Sequence, residues 1–208
     1  MKTLVITMSD KNYFPNGELF IKTRKRINAD FLLYTPNGQR LSSSQKDRCN
    51  NNNIVVKEIT QLSWDTTMQT MKFFYLLWDC EKYDNITFCD FDTFFINDWH
   101  EEVFRHDFIL GITTTEGFPQ WNYLRAKANG GVIFLKTGRG NDVKNEAAKD
   151  FLCFIIKCIN HGNHIKLPEY DDIWKTLENP NRPPRKRHFR TNQKWWCDQV
   201  ALSALVFD

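Results

Sequence analysis

The sequence predicts an α/β fold of three layers, with helices on both faces of a mostly parallel central sheet. Three observations predict it. Short runs rich in β-branched and aromatic residues alternate along the chain with segments of helical periodicity. The run Ile86-Thr87-Phe88-Cys89 shows no polar alternation, as a strand covered on both faces requires. An acid pair, Asp90 and Asp92, follows it directly, at the place where open α/β sheets bind ligands. The 208 residues fit one such domain over 1–208, with no internal repeat or domain boundary.

Taken in order, Thr3–Met8 is a first strand, and Ser9–Tyr13 is a polar loop at its carboxyl end. That loop offers Asp10 or Asn12 to a base edge and Tyr13 as a stacking face; the plainer reading is a surface turn. Residues 18–27 read as a basic amphipathic helix, with Leu19, Phe20 and Ile27 inward and Lys22, Arg24, Lys25 and Arg26 solvated. Asp30–Tyr34 is a second strand, closed by Pro36-Asn37-Gly38. Residues 39–53 read as a polar loop with room for one helical turn, and Ile54–Ile59 as a third strand. Asp65 then caps a helix marked by Met68, Met71, Tyr75 and Trp78, which carries Lys72.

Beyond the acid pair, Asp107–Ile112 and Asn129–Leu135 are strands, separated by a loop over 113–125 fit to wall a pocket. Gly130 and Gly131 open the second of these, as a close backbone approach or a bulge requires. Residues 142–161 form a long helix running to Gly162. Residues 179–194 are basic and carry prolines, which suits either a lid over an anionic substrate or a solvated loop. Trp195 and Trp196 precede a short helix over 197–202 that carries Asp198 and Gln199.

Composition narrows the classes. Hydrophobic residues at 41% and charged residues at 25% are ordinary for a soluble globular protein. A formal charge of +3 is too small to argue for nucleic acid. No apolar run approaches the roughly 20 residues of a membrane span, and no signal-peptide core opens the chain, so a cytoplasmic protein is expected. The six cysteines form no CxxC pair and read as buried thiols. Cys153, Cys158, His161 and His164 are zinc-type residues, but the apolar residues around them read as a buried helix.

The acid pair carries the chemistry. In an extended segment residues two apart point the same way, so Asp90 and Asp92 are expected on one face past the strand. Two carboxylates there can hold a hard divalent cation, which in turn holds phosphate oxygens. The alternative is a pair of turn aspartates. Placement amid Phe91, Phe94 and Phe95 favours the site, because buried acids need a compensating charge.

Four segments together resemble the GT-A fold of nucleotide-sugar glycosyltransferases, similar to family eight (the glycogenin and galactosyltransferase-like enzymes). They are Met8–Tyr13, Ile86–Phe95 with its DxD, Ala128–Leu135 and Asp198–Leu202. The resemblance implies that Asp10 and Tyr13 hold the base, normally uracil, and that Asp90 and Asp92 bind Mn2+ or Mg2+ on the diphosphate. It places Lys72 near the donor, Asn129 and Gly130 on the sugar and acceptor side, and Asp198 and Gln199 at the reacting sugar. The implied activity is transfer of a sugar from a UDP-sugar to a carbohydrate, lipid or protein acceptor, with the anomeric configuration retained. The family's third metal ligand, a histidine beyond the Asp-Gln segment, has no counterpart before Asp208. His161, His164 or His188 substitutes, or two protein ligands suffice, or the chain is shortened. Two rivals differ in class. Haloacid dehalogenase-type phosphatases place Thr or Val where this chain has Phe94, and their acids follow the first strand. A non-catalytic nucleotide-sugar or carbohydrate-binding protein would keep the fold without turnover.

Overall fold

A computed structural model describes residues 1–36, 40–59, 76, 79–112 and 128–162. Among the described residues six strands form one sheet: β1 (Thr3–Met8), β2 (Asp30–Pro36), β3 (Ile54–Ile59), β4 (Asn85–Cys89), β5 (Phe108–Ile112) and β6 (Ala128–Lys136). Their spatial order is β3-β2-β1-β4-β6-β5. The first four run parallel, while β6 runs against both of its neighbours. The sheet is therefore mostly parallel, as the sequence predicts. Among the described residues, no helix is long and apolar enough to cross a membrane.

Burial follows position in the sheet. β4 is buried at every residue and β1 at all but Met8, while the outer β3 alternates with solvent. Side chains alternate across a strand, so each strand feeds two cores. Leu4, Ile6, Leu32, Ile86, Phe88, Ile133 and Leu135 meet Leu76 and the helix α3 (Asp142–Gly162) through Ala148 and Leu152. On the opposite face Val5, Phe31, Leu33 and Cys89 meet Phe20 and Ile21 of α1 (Glu18–Thr23) and Cys49 of α2 (Ser43–Asn50). These are the predicted three layers.

Local readings shift in two places. The basic helix ends at Thr23 and continues as a 3-10 turn over Arg24–Arg26. Phe20 is fixed among Phe31, Phe91 and Phe95, which turns Leu19 outward and Ile21 inward, opposite to the expected facing of Leu19. The polar stretch over 39–53 contains a full helix, α2. Ser42 caps it: its Oγ accepts from the Gln45 N–H at 3.3 Å while the Gln45 side chain accepts from the Ser42 N–H at 2.9 Å. The Ser42-x-x-Gln45 spacing was the available signal, since Cys49 is the helix's one buried residue and gives no periodicity.

Cys49 and Cys89 are buried free thiols. Burial pushes the Cys49 thiol up to about 11 and that of Cys89 up to about 12, with the Asp90 charge adding to the second. The folded state thus holds these protons where the unfolded chain releases them. Their contribution to stability is complete below the unfolded thiol value of roughly 8.5 and disappears as pH climbs through the folded values. Both thiols are expected to resist a thiol reagent at pH 8 and to react in step with unfolding, as a stopped labelling assay in urea would show. Labelling of Cys49 or Cys89 themselves at the free-thiol rate in the folded protein, read site by site because Cys153 is only half-buried, would contradict the packing around Val5 and Phe91.

Candidate active site

The chain proceeds outward from β1 to β2 and β3, then returns to β1's other side as β4. Loops leaving the carboxyl ends of β1 and β4 therefore part in opposite directions, and the crevice between them is where α/β sheets take ligands. Both sequence-predicted motifs lie there.

The loop after β1 is folded by its own acid. Asp10 Oδ1 accepts the N–H groups of Asn12 and Tyr13, each at 2.7 Å. The Asp10 carbonyl accepts from Phe14 at 3.0 Å, and the Ser9 N–H donates to the Tyr34 carbonyl at 3.1 Å. So anchored, Tyr13 reaches across the crevice, and its hydroxyl donates to Asp92 Oδ2 at 2.8 Å. Burial raises the Tyr13 hydroxyl's pKa, the hydrogen bond to Asp92 adds to this, and the charges of Asp92 and then Asp90 push the same way. Both carboxylates thus act on one phenol.

The acid pair is not set on an extended segment. Thr93 N–H donates to the Asp90 carbonyl at 3.0 Å, closing a turn over Asp90–Thr93. The Asp90 N–H donates to the Gly131 carbonyl at 2.7 Å, which ties that turn to β6. Nor are both acids buried among aromatics: Asp90 is half-buried and Asp92 exposed. Phe91 and Phe95 point into the core while Phe94 stays 54% exposed. The turn makes this separation possible, since it sends Phe91 inward and leaves Asp92 at the crevice.

Gly17 permits that arrangement, and the sequence reading passed over it. A Cβ built there would lie 2.0 Å from Phe91 Cε1. The Phe91 ring occupies that space, packed against Phe14 and Phe20 with centroids at 5.4 and 5.3 Å. No sequence signal marks Gly17, because the contact joins segments far apart in the chain.

On the other side of β4, the pairing of β5 with β6 slips between Leu110 and Gly111, whose partners are Ile133 and Asn129. Gly130 and Gly131 fall in the skipped stretch, which is the bulge reading of the two glycines. Backbone alone places Asn129 and Gly130 at the edge beside Asp90. Lys72, Asp198 and Gln199 lie outside the described residues, as do His164, His188 and the side chain of His161. Among the described residues, no group of three or more acids, histidines and cysteines gathers for a metal.

Behind the crevice sits a buried acid that the sequence reading did not single out. Asp79, 3% exposed, accepts from the Tyr34 hydroxyl at 2.6 Å. Lys82 Nζ lies 2.9 Å and Lys57 Nζ 3.8 Å from its other oxygen. The same Tyr34 holds the Ser9 end of the crevice loop through its carbonyl.

No protein-family model matches the chain, and no curated protein matches it. Among solved structures it is similar to the glycosyltransferase GlyE of Streptococcus pneumoniae TIGR4. One crystal structure of that protein aligns with a TM-score of 0.52 at 12% identity, over 95% of this chain and 51% of that one. Its apo form aligns at 0.50 and 16%, over 100% of this chain and 44% of that one. The chain spans about half the length of these structures. What the likeness shows is the fold: a six-stranded, mostly parallel α/β sheet of the Rossmann-like kind found in a glycosyltransferase.

Proposed function

We propose that this chain is a glycosyltransferase that takes a sugar from a nucleotide-diphospho-sugar, a UDP-sugar by its sequence resemblance. The observation that carries the reading is the Tyr13–Asp92 hydrogen bond, which closes the base-side loop onto the acid pair across the switch point of the sheet. A fold likeness to GlyE supports the same class.

In this reading the 9–13 loop receives the base, with the Tyr13 ring as its stacking face. The oxygen-only donor set of Asp90 and Asp92, two residues apart on one turn beside Tyr13, fits a hard divalent ion. Such an ion, Mn2+ or Mg2+, would offset the negative charge that develops on a departing diphosphate. Asn129 and Gly130, at the β6 end of the crevice, take the sugar and acceptor side. Lys72, Asp198 and Gln199 enter through the resemblance, near the diphosphate and the reacting sugar.

Thermal melting tests the reading. The Mn2+–UDP complex, taken as one ligand at about a hundred times its dissociation constant, is expected to stabilise the fold by about 2.7 kcal/mol and raise the midpoint by several degrees. In Asp90→Asn/Asp92→Asn the shift is expected to vanish. An equal shift in that double variant would remove the acid pair from the site. Release of free sugar from a panel of nucleotide sugars then separates a transferase, which hydrolyses its donor slowly, from a binding protein, which does not.

A further inference from the structure

The geometry points to Tyr13 as a positioning residue: its hydroxyl holds Asp92 in the orientation that receives the cation, so that a base bound on the 9–13 loop tightens cation binding through protein alone. This rests on the function proposed above and adds a coupling to it. Three features carry the inference. The turn bearing the acids is fixed at its backbone by the bonds from Asp90 to Gly131 and from Thr93 to Asp90. Phe91 is locked in the core below it. Asp92 itself is exposed, so its carboxylate would rotate freely on that fixed turn without a partner, and the Tyr13 hydroxyl is that partner.

A carboxylate that accepts one hydrogen bond at Oδ2 keeps further lone pairs for a cation. Groups that orient a ligating side chain in this way commonly affect metal affinity by tenfold or more. The other end of the lever is equally defined. Tyr13 is anchored through its own N–H to Asp10, and the residue is 39% exposed, which leaves it accessible to a base. A base stacked on that ring restrains the phenol and, through it, Asp92. By linkage, the cation must tighten base binding by the same factor.

The test uses Tyr13→Phe, which keeps the ring and removes the hydroxyl. Mn2+ affinity is read from the electron paramagnetic resonance signal of the free aquo ion, with and without uridine. Uridine has no phosphate to touch the ion, so any coupling it shows travels through the protein. The wild type is expected to bind Mn2+ about fivefold more tightly with uridine present. Tyr13→Phe is expected to bind Mn2+ about tenfold more weakly, to lose the uridine effect, and to keep the wild-type melting midpoint without ligands. Equal or tighter Mn2+ binding by Tyr13→Phe, or a uridine effect that is absent in the wild type or persists in the variant, would overturn the inference. If the wild type is protected by UDP and Mn2+ and these outcomes occur, the inference alone falls. If the wild type binds neither, the proposed function falls with it.

Discussion

Replacing Gly17 by alanine is expected to destabilise the protein by about 3 kcal/mol, the upper end of ordinary overpacking, and to abolish protection by UDP and Mn2+. The new methyl would meet Phe91 Cε1, Cδ1 and Cζ at 2.0, 2.3 and 2.4 Å, so the ring must leave its place. Yielding is difficult because Phe14 and Phe20 pack against it, and Phe20 is in turn held by Phe31 and Phe95. Phe91 is also the second residue of the turn that carries both acids, so a displaced ring carries Asp90 and Asp92 with it. Urea unfolding measures the first effect and ligand-dependent melting the second. The double change Gly17→Ala/Phe91→Leu should recover part of the stability, since it frees the volume the methyl needs, and a double-mutant cycle would report that coupling. Wild-type stability in Gly17→Ala would mean that the ring is seated elsewhere.

Asp79→Ala is expected to cost about 2 kcal/mol. Lys82 and Lys57 are 62% and 46% exposed and keep water once the carboxylate, 4% exposed, is gone, so no buried charge is left behind. The change also removes an acceptor from the Tyr34 hydroxyl, whose residue is buried at 2%. Tyr34→Phe should cost less, about 1 kcal/mol, because it removes one hydrogen bond and leaves both lysines with their partner. Denaturant midpoints of the two variants give the order directly. An Asp79→Ala protein within about 0.5 kcal/mol of wild type would place the carboxylate at the surface.

Much of this was legible in the sequence where one local signal dominates. Thr3–Met8 and Ile54–Ile59 have the predicted bounds because apolar β-branched residues there meet no competing pattern. The acid pair was placed correctly at a strand end, because the change from Cys89 to Asp90 is abrupt. Its backbone was misjudged, since an extended segment and a turn both tolerate Asp-Phe-Asp, and the bond from Thr93 back to Asp90 decides between them. The facing of Leu19 depended on where Phe20 finds its ring partners, which lie on β2 and beyond β4. Gly17 and the Tyr13 hydroxyl were illegible for one shared reason. Each acts on a residue more than seventy positions away, and one sequence without its fold does not state which distant residues meet.

The reversed direction of β6 has a consequence for how such a crevice diversifies. Because β6 opposes β4, its first residues stand where β4 ends, and Ala128 and Asn129 pair there with Ile112 and Gly111. The connection from Ile112 to Ala128 accordingly departs and arrives on the rim beside Asp90. A change of chain length between these two residues adds little closure entropy and is felt on the rim beside Asp90, while the parallel strands that set the acids in place keep their pairing.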